Sequence, residues 1–327
     1  MKLIFKQIAV TLCIISSSAQ AQVIFKSSID NGGASAESTD GTQILYTIGE
    51  VNMQELSAAS LKVSEGFIGP AFKVQVSPKM LLQGPILNPI TAGLMNDQLR
   101  QNGFLPTTSP YQDQATVNAS VFNATGANAI VDWVWVELRD ASNRSKLINA
   151  RSALLQRDGD VVDLDGNTIL SMYAAPTNYY VVVNHRNHLG AMSQPSFPLK
   201  EKETTVVDFS GAQFSTFGNH AQAILNNGNK ALWAGDTAGN NFVRFSGANN
   251  NANVIKDYIL DDASNGFNSV TFSSSGYLNI DVNLDGVGRF SGAGNDSNIL
   301  KDNVLQFPGN AFGSVTFTIN TTVPNTN

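Results

Sequence analysis

The sequence predicts a mainly β protein in three regions: a small N-terminal β module, a β-sandwich of the immunoglobulin-like kind, and a duplicated C-terminal region with short helices. Three observations carry that expectation. Short β-prone runs alternate with Gly, Ser, Asn and Asp turns along most of the chain. Only one short helical candidate, around Ala92–Arg100, interrupts the middle. One C-terminal segment recurs 45 residues later.

Composition supports a packed chain. Of 327 residues, 42% are hydrophobic and 14% charged, which gives enough apolar surface for large cores and too little charge for a disordered polyelectrolyte. A net charge of -6 with no Lys/Arg cluster excludes a phosphate-neutralising stripe, so no nucleic-acid partner is expected.

Residues 1–21 read as a signal peptide. Lys2 and Lys6 supply the basic start, Ile8–Ile15 the apolar run, and Ala19-Gln20-Ala21 a small-x-small cleavage site. The run is too short to cross a bilayer, which takes about 20 apolar residues, so no transmembrane segment is expected and the mature chain is secreted or held at the cell surface. The one cysteine, Cys13, lies inside the segment; as a lipid anchor it would follow the bulky Leu12 and leave little apolar run. A secreted chain without disulfides must rely on large β cores or on metal ions.

Residues 22–73 form the β module, with runs Val23-Ile24-Phe25, Ile44–Ile48, Leu61-Lys62-Val63 and Gly66–Pro70. Residues 74–209 form the sandwich. Its strands are Val74–Val76, Met80–Leu82, Ile130–Leu138, Leu147–Leu155, Val161–Leu164 and Tyr179–Asn184, with Thr204–Phe209 as a connecting strand. Residues 210–327 are rich in Asn, Gly, Ser and Asp and hold the repeats 236–272 and 281–317, identical at 17 of 37 positions. Such duplication implies stacked or pseudo-twofold packing of equivalent elements.

The second repeat opens with Asp281-Val282-Asn283-Leu284-Asp285-Gly286-Val287. Oxygen side chains at alternate positions, a glycine for the sharp turn and a carbonyl from Val287 suit a hard, oxygen-seeking Ca²⁺. An EF-hand would close with an acid at position 12, but Gly292 stands there, and Asp296 at a helix start closes this loop instead. In the first repeat Asp236 and Asn240 persist, while Ala238, Asn241 and Asn251 replace Asn283, Gly286 and Asp296. Since affinity follows ligand charge, weak or absent binding is expected there.

Trp233-Ala234-Gly235-Asp236, the Asp-x-Asn-x-Asp-Gly loop and the paired copies resemble the dockerin type I-like calcium repeats of secreted bacterial proteins. They are most similar to a version with an inserted Phe-Ser-Gly-x-x-Asn-Asp stretch, found in hemagglutinin-like, adhesin-like secreted proteins of the Bacteroidetes. The runs Asp132–Asp140, Ala153–Gly159 and Tyr179–Leu189 resemble the β domain preceding such repeats, and Tyr46–Val51 with Glu65–Phe67 resemble their N-terminal module. The resemblance implies a calcium-stabilised, non-catalytic protein of adhesion, with a glycan or extracellular-matrix ligand. The alternative is an accessory or catalytic member of a polysaccharide-degrading system. The degenerate first loop argues against a cohesin-type partner.

Other residues admit more than one reading. Trp133 and Trp135 share a strand face with Glu137 and Arg139, and form either a glycan platform or a packing surface. His185 and His188, three apart on a strand, point to opposite faces and cannot share zinc unless the strand ends at Asn184. Glu137 and Asp140 are separated by the same parity, which makes them poor partners for glycoside hydrolysis. Asp158–Asp160 through Asp163–Gly166 form either a cation site or two tight turns around a short strand. No nucleophile motif appears, and a mature chain without cysteine has no thiol.

Overall fold

The computed structural model describes residues 72–326, together with four earlier strands: β1 (Gly32–Glu37), β2 (Gln43–Ile48), β3 (Gln54–Ala58) and β4 (Leu61–Glu65). β1 pairs antiparallel with β2, Gly32 opposite Ile48, and β3 pairs with β4. The signal segment, Cys13 and the runs Val23–Phe25 and Gly66–Pro70 lie outside the described residues. The chain divides into two units, the second being Ala71–Asn327 with Ala59–Leu61.

In that second unit, β5 (Lys73–Lys79) alternates buried and half-buried positions, as a strand with one core face should. Two short helices follow, α1 (Gln83–Ile86) and α2 (Gln98–Gln101), within the proline-rich stretch. Met80–Leu82, expected as a strand, makes only an isolated bridge from Leu82 to Leu232. Next come β6 (Ile130–Asp140), β7 (Asn143–Gln156), β8 (Val161–Val162), β9 (Leu170–Tyr173), β10 (Thr177–His185), β11 (His188–Met192), β12 (Phe197–Leu199) and β13 (Thr204–Asp208).

They form two sheets. One has the order β11-β10-β6-β7-β8, with β12 also on β10; the other is β13-β5-β9, in which β13 runs parallel to β5. Val74 and Val76 of β5, Leu170 and Met172 of β9, and Val134, Val136 and Leu138 of β6 are all fully buried in one apolar cluster. The two sheets therefore share a core. β6 is buried along nearly its whole length, so the charged residues it carries, Asp132, Glu137 and Arg139, are buried with its apolar ones.

Across position 209 the chain continues within the same unit. It adds β14 (Ala223–Ile224), β15 (Lys230–Ala231), β16 (Phe242–Arg244), α3 (Asn251–Asp261), β17 (Ser273–Ser275), β18 (Val287–Arg289), α4 (Asp296–Gln306) and β19 (Thr318–Asn320). The repeats exchange strands: β16 of the first pairs with β19 after the second, and β18 of the second pairs with β17 after the first. Both helices start on an asparagine cap, Asn250 Oδ1 accepting from Asn253 N at 2.8 Å and Asn295 Oδ1 from Asn298 N at 2.9 Å. Ile255, Ile259, Leu300 and Val304 then meet between them in a second core.

Candidate functional site

The second loop begins at Asp281, whose side chain accepts backbone N–H groups from Asp285 (3.1 Å to Oδ1) and Gly286 (2.8 Å to Oδ2). Gly286 sits at φ +86°, and a Cβ there would press on the Phe104 ring, so glycine is required by both conformation and space. Asn283 Oδ1 accepts from Asp285 N at 3.0 Å, and Asp285 Oδ1 from Val287 N at 2.8 Å. From the start of α4, Asp296 returns to the loop, accepting from Val282 N at 2.7 Å and Arg289 N at 2.8 Å.

Asp281 and Asp296 are both fully buried. Burial, then opposed by Arg186 and reinforced by Asp285, pushes the Asp281 carboxyl up to about 7. Burial and the neighbouring Asp281 charge push Asp296 well above the carboxylate range. Asp285, whose charge acts on both, is itself paired through Oδ2 with Arg289 Nη1 at 3.1 Å. Among the described residues no group of three or more His, Cys, Asp and Glu side chains is arranged to hold a metal ion. What the loop does present is a hard oxygen set: two buried, mutually repelling carboxylates with Asn283, Asp285 and the Val287 carbonyl in the same turn. That chemistry fits a divalent cation, or protons in its place.

The first loop keeps the backbone shape. Gly239 and Asn241 adopt φ +62° and +66°, matching Leu284 and Gly286 at +59° and +86°. Its interior differs. Asp236, pushed up to about 6 by burial, accepts from Asn240 N and Asn241 N, each at 2.9 Å. With its nitrogen facing its acceptors, the Asn240 amide donates to Asp236 Oδ1 at 3.0 Å and to Phe242 O at 3.2 Å. Phe242 is the equivalent of Val287. Asn251 accepts from Arg244 N at 2.9 Å, as Asp296 does from Arg289 N, and its buried Nδ2 has no partner among the described residues.

A buried network joins the second loop to the large sheet. Asp132 on β6 accepts from Arg186 Nε at 3.0 Å and Tyr277 OH at 2.6 Å, and meets His185 Nε2 at 3.1 Å. Burial raises the Asp132 carboxyl, but Arg186, His185 and Tyr277 outweigh it and hold it at about 2. Asn187 donates to Asn279 O at 3.1 Å and Asp281 O at 2.7 Å, while Arg186 Nη1 donates to Leu278 O at 2.5 Å.

The parity expectation for the two histidines is corrected. β10 ends at His185, a two-residue turn follows, and His188 starts β11 directly opposite, so the rings meet with Nδ1 atoms 3.1 Å apart. Gly84 N donates to His188 Nε2 at 3.1 Å, which puts that ring's proton on Nδ1, where Asn187 Oδ1 (2.8 Å) and His185 Nδ1 accept it. His185 then carries its proton on Nε2, toward Asp132. Burial lowers both histidines and keeps them neutral.

Trp133 is also corrected as a platform: it is 0% exposed, and its Nε1 donates to Pro106 O at 2.9 Å within the core. Trp135 instead lines a cleft with Glu137 and Arg139 of the same strand face. Asp140 binds Ser142 and Lys146, away from Glu137. The acid-rich stretch resolves into turns around β8, with Asp163 held by Arg151 and Asp165 by backbone N–H groups of Asn167 and Thr168. Sequence reasoning missed Phe267 and Phe312, equivalent in the two repeats and 98% and 99% exposed. It also missed the reciprocal amide pair of Gln83 and Asn303, at 2.7 and 2.8 Å, that fastens α1 to α4.

Comparison with protein-family models, curated proteins and solved structures found no match to this chain. The described residues define a mainly β fold of several sheets, and none of their helices is long and apolar enough to cross a membrane.

Proposed function

We propose that this chain is a secreted or surface-held, non-catalytic binding protein of the adhesin-like, dockerin-type-repeat kind, stabilised by calcium at the second loop. The observation that carries the reading is the pair of fully buried carboxylates, Asp281 and Asp296, whose negative charges together call for a cation or a proton. Asp281, Asn283, Asp285, the Val287 carbonyl and Asp296 would hold the ion, which would crosslink a chain that lacks disulfides. The Asn240 amide fills the equivalent place in the first loop, so Asp236 and Asn240 are held together without metal. A melting temperature raised by Ca²⁺, lowered again by EDTA, and insensitive to both in Asp281→Ala/Asp285→Ala supports the reading. A melt unchanged by either reagent in the intact chain contradicts it.

One observation favours a second reading, a catalytic or accessory member of a polysaccharide-degrading system. Glu137 and Asp236 line the same cleft, and burial pushes Asp236 up to about 6, the direction a general acid needs. Against it, Glu137 is locked to Arg139 at 2.7 Å and Asp236 is occupied by loop N–H groups. Reducing-sugar release from polysaccharides separates the two readings.

A further inference from the structure

A cleft of about 310 Å³ opens between β6, the β10–β11 hairpin, the first repeat loop and the segment Val323–Thr326. Its floor is built by strand parity: Trp135, Glu137 and Arg139 alternate along β6 and so share one face. Tyr111 leans on Trp135 with ring centroids 5.6 Å apart. Asn184, opposite Trp135 in the β10–β6 register, donates from Nδ2 to Glu137 Oε1 at 3.1 Å. A Cβ at position 190 would overlap the other end of that amide, so Gly190 lets β11 close against Asn184 and fixes its direction.

The charges on the strand floor of this cleft are paired. Glu137 and Arg139, 8% and 3% exposed, form an ion pair in which Arg139 Nε (2.8 Å) and Nη2 (2.7 Å) both reach Glu137 Oε2. Arg186, also in the wall, is neutralised by Asp132, yet its buried Nη2 has no hydrogen-bond partner among the described residues. That guanidinium lies over the Tyr277 ring, 4.2 Å from its centroid. An anionic ligand would meet Glu137, a cationic one Arg139, and an apolar one would strip water from the ion pair for no return. A hydroxyl both donates and accepts, so it suits a carboxylate and a guanidinium side by side, and the aromatic floor of Trp135 and Tyr111 favours a sugar ring to carry it.

We propose that this cleft binds a neutral saccharide, with ring C–H surface against Trp135 and Tyr111 and hydroxyls bridging Glu137, Arg139 and Asn184. The volume lies at the lower end of small-ligand clefts and suits one or two sugar rings. The first repeat loop supplies a wall through Asp236, Gly239 and Asn241. This gives the metal-poor copy a role of its own: its loop shape is retained to face the cleft.

The proposal deepens the binding-protein reading and is tested apart from calcium. Cellobiose, maltose, lactose and mannobiose are titrated into the calcium-loaded full chain, followed by tryptophan fluorescence and calorimetry. At least one should bind saturably, and Trp135→Phe and Asn184→Ala should each weaken it about tenfold or more with cooperative melting retained. Trp135→Phe leaves the buried ion pair and its partners in place, so it keeps the test valid where Asn184→Ala takes a hydrogen bond from Glu137. No saturable binding by any of the four, or equal binding by both variants, overturns the proposal. Absent sugar binding with an intact calcium-dependent melt strikes the cleft alone, and sugar binding with a calcium-insensitive melt strikes the calcium reading alone. Cleavage of a bound disaccharide would retain the site and overturn its non-catalytic character.

Discussion

The side-chain amide of Asn187 donates to the main-chain carbonyl of Asp281 at 2.7 Å. A hairpin turn of the large sheet therefore grips the first residue of the candidate cation loop. Asn187→Ala would leave the Asp281 and Asn279 carbonyls short of a donor in a buried site. The expected cost is about 1–3 kcal/mol of unfolding free energy, with weakened calcium affinity. Urea denaturation with and without Ca²⁺ measures both; an effect on stability that is identical in the two conditions would uncouple turn and loop.

Gly84 is a second point of attachment. A Cβ there would overlap the Val282 carbonyl, which is backbone and cannot swing aside. Gly84→Ala should cost about 1–3 kcal/mol and also reduce calcium affinity, because the loop must shift to make room. A fully stable variant with native affinity would show that α1 and the loop are not in the contact described.

The pH response of the metal-free protein follows from the direction of the carboxylate shifts. Asp281 at about 7, and Asp296 well above its ordinary value, bind protons more tightly folded than unfolded. Their contribution therefore favours the fold at low pH and is lost as pH rises, that of Asp281 from about 4 through about 7 and that of Asp296 through its own raised value. His185 and His188 act oppositely, since their lowered values cost stability as pH falls below 6.5. A variant comparison cancels the histidines. In EDTA at pH 8, Asp296→Asn, which copies Asn251 of the first repeat, should be at least as stable as the parent. In Ca²⁺ at pH 8 it should be less stable. Melts at pH 5 and pH 8 in both reagents read this, and lower stability of the variant in EDTA at pH 8 would contradict it.

The histidine pair predicts a spectroscopic signature. Nitrogen-15 correlation spectra should show His185 protonated on Nε2 and His188 on Nδ1, with neither ring titrating near 6.5. A charged ring at pH 7, or the opposite tautomers, would break the assigned hydrogen-bond chain from Gly84 to Asp132.

Much of the fold was legible because its strands are strongly patterned. Ile130–Leu138, Leu147–Leu155 and Tyr179–Asn184 appear as β6, β7 and β10, each slightly longer than its apolar run. β11 was missed because His188-Leu189-Gly190-Ala191-Met192 has little β propensity and owes its strand to the turn before it. The two-residue hairpin turn at Arg186-Asn187 carries no glycine and a single asparagine, too weak a turn signal on its own, and the histidine partnership stayed hidden with it. The repeat was readable by identity alone, but its strand exchange was not, since pairing between copies leaves no mark on either. The buried Trp133 shows where parity is too weak: a central strand covered on both faces buries both of its alternating sets.

Calcium stoichiometry tests the central claim most directly. Equilibrium titration of the EDTA-stripped, dialysed full chain with Ca²⁺ should show one ion bound per chain, abolished by Asp281→Asn and unaffected by Asp236→Asn. No bound ion, or one ion lost through Asp236→Asn and retained in Asp281→Asn, would contradict the assignment.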